Sequence, residues 1–149
     1  SKYFLMLLPD DLIMKRNCSS DMIKLHKKYK SSVIASKKVS KKNVSRWGIF
    51  KINKIDSRNF LIKDVIEKPK IKSAPSNYAV IGRYILPSKI FNILKKQKPG
   101  KNGEIHITDA IRTLIKNENK FIGHIFSGKY LDCGTLKGYI SSALEISKL

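Results

Sequence analysis

Glu67 and Lys68 stand side by side where the apolar run Phe60 to Ile66 ends, and Pro69 follows at once. A strand that stops there presents the two charges in a crevice rather than in a core. A carboxylate accepts hydrogen bonds from hydroxyls, and an ammonium is a point cation for phosphate. The pair therefore suits a ligand carrying both groups, a sugar phosphate. On these residues alone it also fits, and more simply, a charged strand end in solvent. The other acidic candidates are as plain in isolation. Asp10 and Asp11 follow Pro9 as a polar strand terminus, and Asp132 precedes Gly134 as a turn residue.

The elements that must position these residues alternate. Tyr3 to Leu8 is a continuous apolar run and reads as a fully buried strand ending in an acidic loop. Met22, Leu25, His26 and Tyr29 recur at helical spacing, with Ser19, Ser20 and Asp21 as capping candidates. Ser32 to Ala35 reads as a second buried strand, which makes a βαβ unit with the first two strands parallel. Trp47 to Ile55 and Phe60 to Ile66 flank a turn at Ile55–Asn59 and predict a hairpin. Tyr78 to Leu86 is a third β-rich run. The last third is mainly helical, over Ser88–Lys96 and then along the face Ile107, Ala110, Ile111, Leu114, Ile115, with Thr108 as N-cap. Phe121 to Phe126 reads as a short strand and Gly128 to Asp132 as the way into a turn. Leu136, Tyr139, Ile140, Ala143 and Leu144 predict a final helix. Without a repeat, a low-complexity tail or a linker, residues 1–149 read as one domain.

The chain of 149 residues is 42% hydrophobic, enough for a real core, and carries a formal charge of +20. Its pI of about 10.1 favours nucleic acid, anionic lipid or phosphorylated small molecules as partners. The basic residues are mostly lysines spread over nearly every segment. The arginines are confined to Arg16, Arg46, Arg58, Arg83 and Arg112. Arginine scarcity argues against sequence-specific DNA reading, and the lysine, isoleucine and asparagine content fits a bias of the whole composition. A basic nucleic-acid- or anion-binding module without catalysis is the alternative reading. Cys18 and Cys133 lie far apart, and His26, His106 and His124 form no ligand spacing, so neither a disulfide framework nor a zinc site is expected. With no signal peptide and no apolar run of membrane length, a cytoplasmic protein without a membrane partner is expected.

Six strings occur in the order and spacing of one family. They are F-L-M-L-L-P-D-D at 4–11, S-R-W-G-I at 45–49, V-I-E-K-P at 65–69, A-P-S-N-Y-A-V-I-G-R-Y at 74–84, K-P-G-K-N-G-E-I-H-I-T-D-A-I at 98–111 and Y-L-D-C-G at 130–134. Over essentially its whole length the chain resembles the bacterial UTP–glucose-1-phosphate uridylyltransferases, within the sugar-nucleotidyltransferase superfamily. The resemblance implies nucleotidyl transfer. The phosphate of glucose 1-phosphate attacks the α-phosphate of UTP, giving UDP-glucose and pyrophosphate, with Mg²⁺ as cofactor. Such chemistry is mostly positioning and charge neutralisation. By the same resemblance Asp10 and Asp132 meet the metal, and Glu67 accepts from glucose hydroxyls. Lys68 meets phosphate, Gly48 lets the backbone approach the sugar, and Asp10, Lys68 and Asp132 take part in catalysis. Glu104, Thr108 and Asp109 match a further family string and read mainly as capping near the site.

Trp47 stands where the family usually has tyrosine, and His106 where it often has glutamine. The larger departure is the family's glycine-rich loop, G-x-G-T-R, whose amides and basic groups hold the triphosphate; nothing in this sequence matches it. The expected fold is α/β, a partial Rossmann-like nucleotide-diphospho-sugar transferase fold. Its sheet is expected to be mixed and mainly parallel, with an added antiparallel hairpin and flanking helices. The chain is expected to be the C-terminal part of a catalytic domain, with the sugar-phosphate and metal side present and little or no activity alone. Its first strand edge is expected to pair with a separate N-terminal half or with a second copy. Because the base pocket falls mostly outside these strings, a relative using dTTP or another nucleotide stays open.

Overall fold

The structure is a computed structural model that describes residues 2–15, 17–100, 103–117 and 119–148. Arg16, and Lys101 and Asn102 of the fifth string, lie outside the described residues. Among the described residues, eight strands and four α-helices follow one another: β1 Tyr3–Leu7, β2 Asp11–Met14, α1 Cys18–Tyr29, β3 Ser32–Lys38, β4 Ile49–Lys54, β5 Asn59–Ile66, β6 Tyr78–Pro87, α2 Ile90–Lys96, α3 Ile107–Lys116, β7 Phe121–Ile125, β8 Lys129–Asp132 and α4 Leu136–Ile146. Short 3₁₀ turns occupy Lys41–Arg46 and Ile71–Ser73. Among the described residues, no helix is long and apolar enough to cross a membrane.

The main sheet has the order β1-β6-β3-β7-β5-β4, and β2 pairs with β8 in a separate ladder. Both faces are covered, as in layered α/β domains. β3 shows why: Val33 and Ala35 point to α1, where Cys18 and Met22 are buried. Ile34 points to the opposite core with Phe50, Phe60 and Leu86, beneath Ile90, Ala110, Ile111 and Leu114 of α2 and α3. Alternate residues thus reach opposite cores, as the pleat requires.

The mixed α/β sheet with flanking helices is as expected, but its pairings are mainly antiparallel. Among the described strands only β3 and β7 pair in parallel. β1 and β3 do run in the same direction, but the ten-residue β6 lies between them and is antiparallel to both. β1 is consequently an edge strand, and Leu5 and Leu7 are exposed rather than fully buried. The hairpin β4–β5 forms as expected, closed by Asp56 Oδ1, which accepts from the backbone N–H groups of Arg58 and Asn59, both at 2.8 Å. The start of β4 also touches β6, through Ile49 opposite Ala79 and the Val80 amide donating to the Gly48 carbonyl at 2.8 Å. This crossing carries Gly48 onto the face of β6.

Three local readings need correction. The α1 cap is Asn17, whose side chain accepts from the Ser20 amide, and not Ser19, Ser20 or Asp21. The α3 cap position is His106, with Thr108 already in the helix and its hydroxyl directed elsewhere. Lys129–Asp132, read only as the way into a turn, is itself a strand, because β2 pairs with it. On α4, Leu136, Tyr139, Ile140 and Leu144 stay exposed.

Candidate active site

The acidic side of the site is built where β1 ends and the β2–β8 ladder begins. Leu8 N donates to the Gly82 carbonyl at 2.8 Å, Asp11 stands opposite Asp132 in the ladder, and Cys133 N donates to the Asp10 carbonyl at 2.8 Å. The two adjacent aspartates then part. Asp11 turns inward, where its Oδ2 accepts from Gly82 N at 2.6 Å and its Oδ1 from the Tyr130 hydroxyl. Gly82 must lack a side chain, since a Cβ there would collide with the Asp11 carboxylate and approach Leu8 Cβ to 2.6 Å. Burial pushes the Asp11 carboxyl above its ordinary value, against the pull of the hydrogen bonds from Tyr130 and Gly82.

Asp10 turns outward and is exposed. A Cβ on Gly134 would lie 3.0 Å from Asp10 Oδ2 and 3.3 Å from Asp132 Oδ1, so the two carboxylates flank the space this glycine leaves open. Asp132 Oδ1 accepts from Gly134 N at 3.0 Å and its Oδ2 from Arg46 Nη2 at 3.1 Å. Among the described residues, no group of three or more Cys, His, Asp or Glu side chains could hold a metal. Two carboxylates suffice for Mg²⁺, which is usually bound through one or two of them together with phosphates and water. The donor set is hard oxygen and fits that cation.

The neighbouring cavity, of about 230 Å³, lies over β6 and is lined in part by Val80, Gly82 and Tyr84, alternate residues on one face. Gly48, Trp47, Glu67 and Thr108 complete one wall. Asp11 and Arg46 face the same space, and Arg46 joins it to Asp132. A Cβ on Gly48 would meet Val80 Cγ2 at 3.0 Å and Glu67 Oε2 and Thr108 Cγ2 each at 3.1 Å, so a side chain there would press on the glutamate. The Glu67 carboxylate accepts from Thr108 Oγ1 at 2.9 Å, in the first turn of α3, where an anion is favoured. Tyr84 sits at the base of the cavity. Burial chiefly, then the negative fields of Asp11, Glu67 and Asp10, push its hydroxyl pKa up and keep it a proton donor.

Lys68 follows with φ of 42°, a left-handed conformation unusual for lysine. Its amide donates to the Trp47 carbonyl at 3.1 Å, tying the end of β5 to the residue before Gly48. Strain of this kind clusters at functional positions. Lys68 does not line the cavity of Gly48. It borders a second one of about 250 Å³, with Glu67, His106, Asp109 and Arg112. Glu67 and His106 border both.

The geometry thus brings Asp10 to Asp132 and Gly48 to Glu67, and sets Lys68 on the second cavity. Sequence reasoning missed Arg46 as the link and Asp11 as the anchor. It placed Thr108 at the cap although the residue lay within a quoted string. The profile of the nucleotidyl transferase family matches residues 1–148. The chain belongs to the nucleotidyl transferase family. Within it, the chain is similar to the UTP–glucose-1-phosphate uridylyltransferase of Pseudomonas aeruginosa, 36% identical over 142 residues that cover 93% of this chain and 50% of the relative. A UDP-glucose pyrophosphorylase solved in complex with UDP-glucose superposes with a TM-score of 0.91 at 42% identity, over 99% of this chain and 57% of that one. The UTP-bound enzyme from Acinetobacter baumannii gives 0.80 at 30% identity, over 96% of this chain and 50% of that one. This nucleotidyl transferase chain spans about half the length of the curated relatives it matches.

Proposed function

We propose that the chain carries the sugar-phosphate and metal side of a uridylyltransferase that makes UDP-glucose and pyrophosphate from UTP and glucose 1-phosphate. The observation that carries this reading is the cavity shared by Gly48 and Glu67, joined by Arg46 to the Asp10–Asp132 pair. Glu67, acceptor-only when ionised, orients glucose through its hydroxyls. Gly48 lets the sugar lie against the backbone. Lys68 neutralises the phosphate of glucose 1-phosphate. An oxygen of that phosphate attacks the α-phosphorus of UTP, a new P–O bond forms, and pyrophosphate leaves with the electrons of the bond that breaks. Asp10 and Asp132 would hold Mg²⁺, which would supply positive charge to the phosphates when bound. Lys68 acts on the reacting phosphates directly by its charge, and Asp10 and Asp132 through the cation they would hold.

The triphosphate side needs a cradle of amides that these residues do not supply. We place it in chain that packs along the outer edge of the sheet beside β1, either an N-terminal half or a second copy, so that this chain forms the C-terminal part of the catalytic domain. A cytoplasmic setting goes with such charged, membrane-impermeant substrates.

Titration with glucose 1-phosphate, followed by NMR, tests the site. Glu67→Gln and Lys68→Ala each weaken binding by about tenfold or more, the loss of a hydrogen bond or ion contact to a charged group. Affinity unchanged in both variants contradicts the reading. Pyrophosphate release from UTP, glucose 1-phosphate and Mg²⁺ by the chain alone is expected to be slow, and robust turnover would show that the triphosphate cradle is not needed.

A further inference from the structure

Thr108 is 5% exposed and sits in the first turn of α3, where a threonine hydroxyl ordinarily serves the helix itself. Thr113, one turn and a half later, does so by donating to the Asp109 carbonyl at 3.0 Å. Thr108 instead donates its single proton across to Glu67 Oε2 at 2.9 Å. Its methyl is packed within reach of the Gly48 position, as is that same oxygen. Among the described residues, Glu67 Oε1 accepts no hydrogen bond, and Glu67 borders both cavities. A glutamate has three rotatable side-chain bonds, and a half-buried one without a fixed partner samples several rotamers. One donor on Oε2 removes that freedom and leaves Oε1 for a ligand.

We propose that Thr108 is a positioning residue for sugar recognition, its hydroxyl locking one oxygen of Glu67 so that the other is presented to a ligand hydroxyl. This rests on the reading of Glu67 as the sugar acceptor. It predicts that removing the hydroxyl harms recognition of the sugar while leaving recognition of phosphate intact, because Lys68 borders the second cavity, which Thr108 does not line.

The test compares glucose 1-phosphate with inorganic phosphate as probes on the 149-residue chain. Thr108→Val keeps the shape and loses the donor, Thr108→Ala loses both, and Thr108→Ser keeps the donor. Valine and alanine weaken glucose 1-phosphate binding about tenfold and leave phosphate affinity unchanged, and serine restores binding to within about twofold. A wild-type chain whose Thr108 hydroxyl proton is slow to exchange by NMR supports the lock without any variant. A fast-exchanging hydroxyl, or glucose 1-phosphate affinity unaffected by valine and alanine while Glu67→Gln weakens it, overturns the positioning role alone. Affinity unaffected by Glu67→Gln, or no binding by the wild-type chain, overturns the sugar site and this proposal together.

Discussion

Asp11→Ala lowers the melting temperature by roughly 6–12 °C, whereas Asp10→Ala, one residue away, leaves it at the wild-type value. The Asp11 carboxylate holds the Gly82 amide and the Tyr130 hydroxyl, and thereby ties the β1 end to both β6 and β8. Alanine strands two donors at a cost of about 1–3 kcal/mol each. A total of about 3 kcal/mol corresponds to that shift in a domain of this size. Asp10 is exposed, and its structural contribution is a backbone carbonyl that alanine retains. Asp11→Asn recovers most of the loss, since its amide can accept from Gly82 and donate to the tyrosine oxygen. It also changes the pH dependence. The folded carboxyl titrates above its ordinary 3.8. The fold therefore gains stability as pH falls through the window between the raised value and the ordinary one, and loses it as pH rises back through the raised value. Asparagine removes that increment, so the stability difference between wild type and Asp11→Asn changes across the acidic window. Thermal melts at several pH values check both statements. Equal melting temperatures for Asp10→Ala and Asp11→Ala would contradict the division of roles.

Gly123→Ala destabilises the chain by about 3 kcal/mol, the upper end of what overpacking a core costs. Gly123 is buried in β7 directly opposite Phe60 of β5. A Cβ there would lie 2.6 Å from Phe60 Cδ2 and collide with Cε2 and Cζ. The ring cannot retreat, because it packs at 5.7 Å from the Phe50 ring and 5.2 Å from that of Tyr78, and is 1% exposed. Phe60→Leu in the same chain opens the space, so the double variant is more stable than the two separate losses predict. Additive losses in denaturant melts would show that the clash is absent.

The elements most legible in the sequence are those whose cause is local. The β4–β5 hairpin was readable because Asp56 closes its own turn, and α3 because its apolar residues repeat on one face. The β2–β8 ladder was not, since two four-residue strands find each other across more than a hundred positions and neither carries a pattern of its own. The insertion of β6 between β1 and β3 is likewise a matter of distant pairing, and it turned a strand read as buried into an edge. At the site, residue types could be read but not directions. Asp10 and Asp11 are adjacent residues of one type, and only the Gly82 amide and Tyr130 decide which is the anchor and which faces outward. Thr108 reads as a cap because threonine often is one, but in the fold its hydroxyl donates a hydrogen bond to Glu67.

The most direct measurement is an amide NMR titration of the chain with glucose 1-phosphate. Shifts are expected to centre on Gly48, Glu67, Lys68 and Thr108, to need about tenfold more ligand in Glu67→Gln, and to be retained at moderate salt. Shifts spread over the lysines of α1 and vanishing with salt, as for a nonspecific anion on a +20 surface, would contradict it.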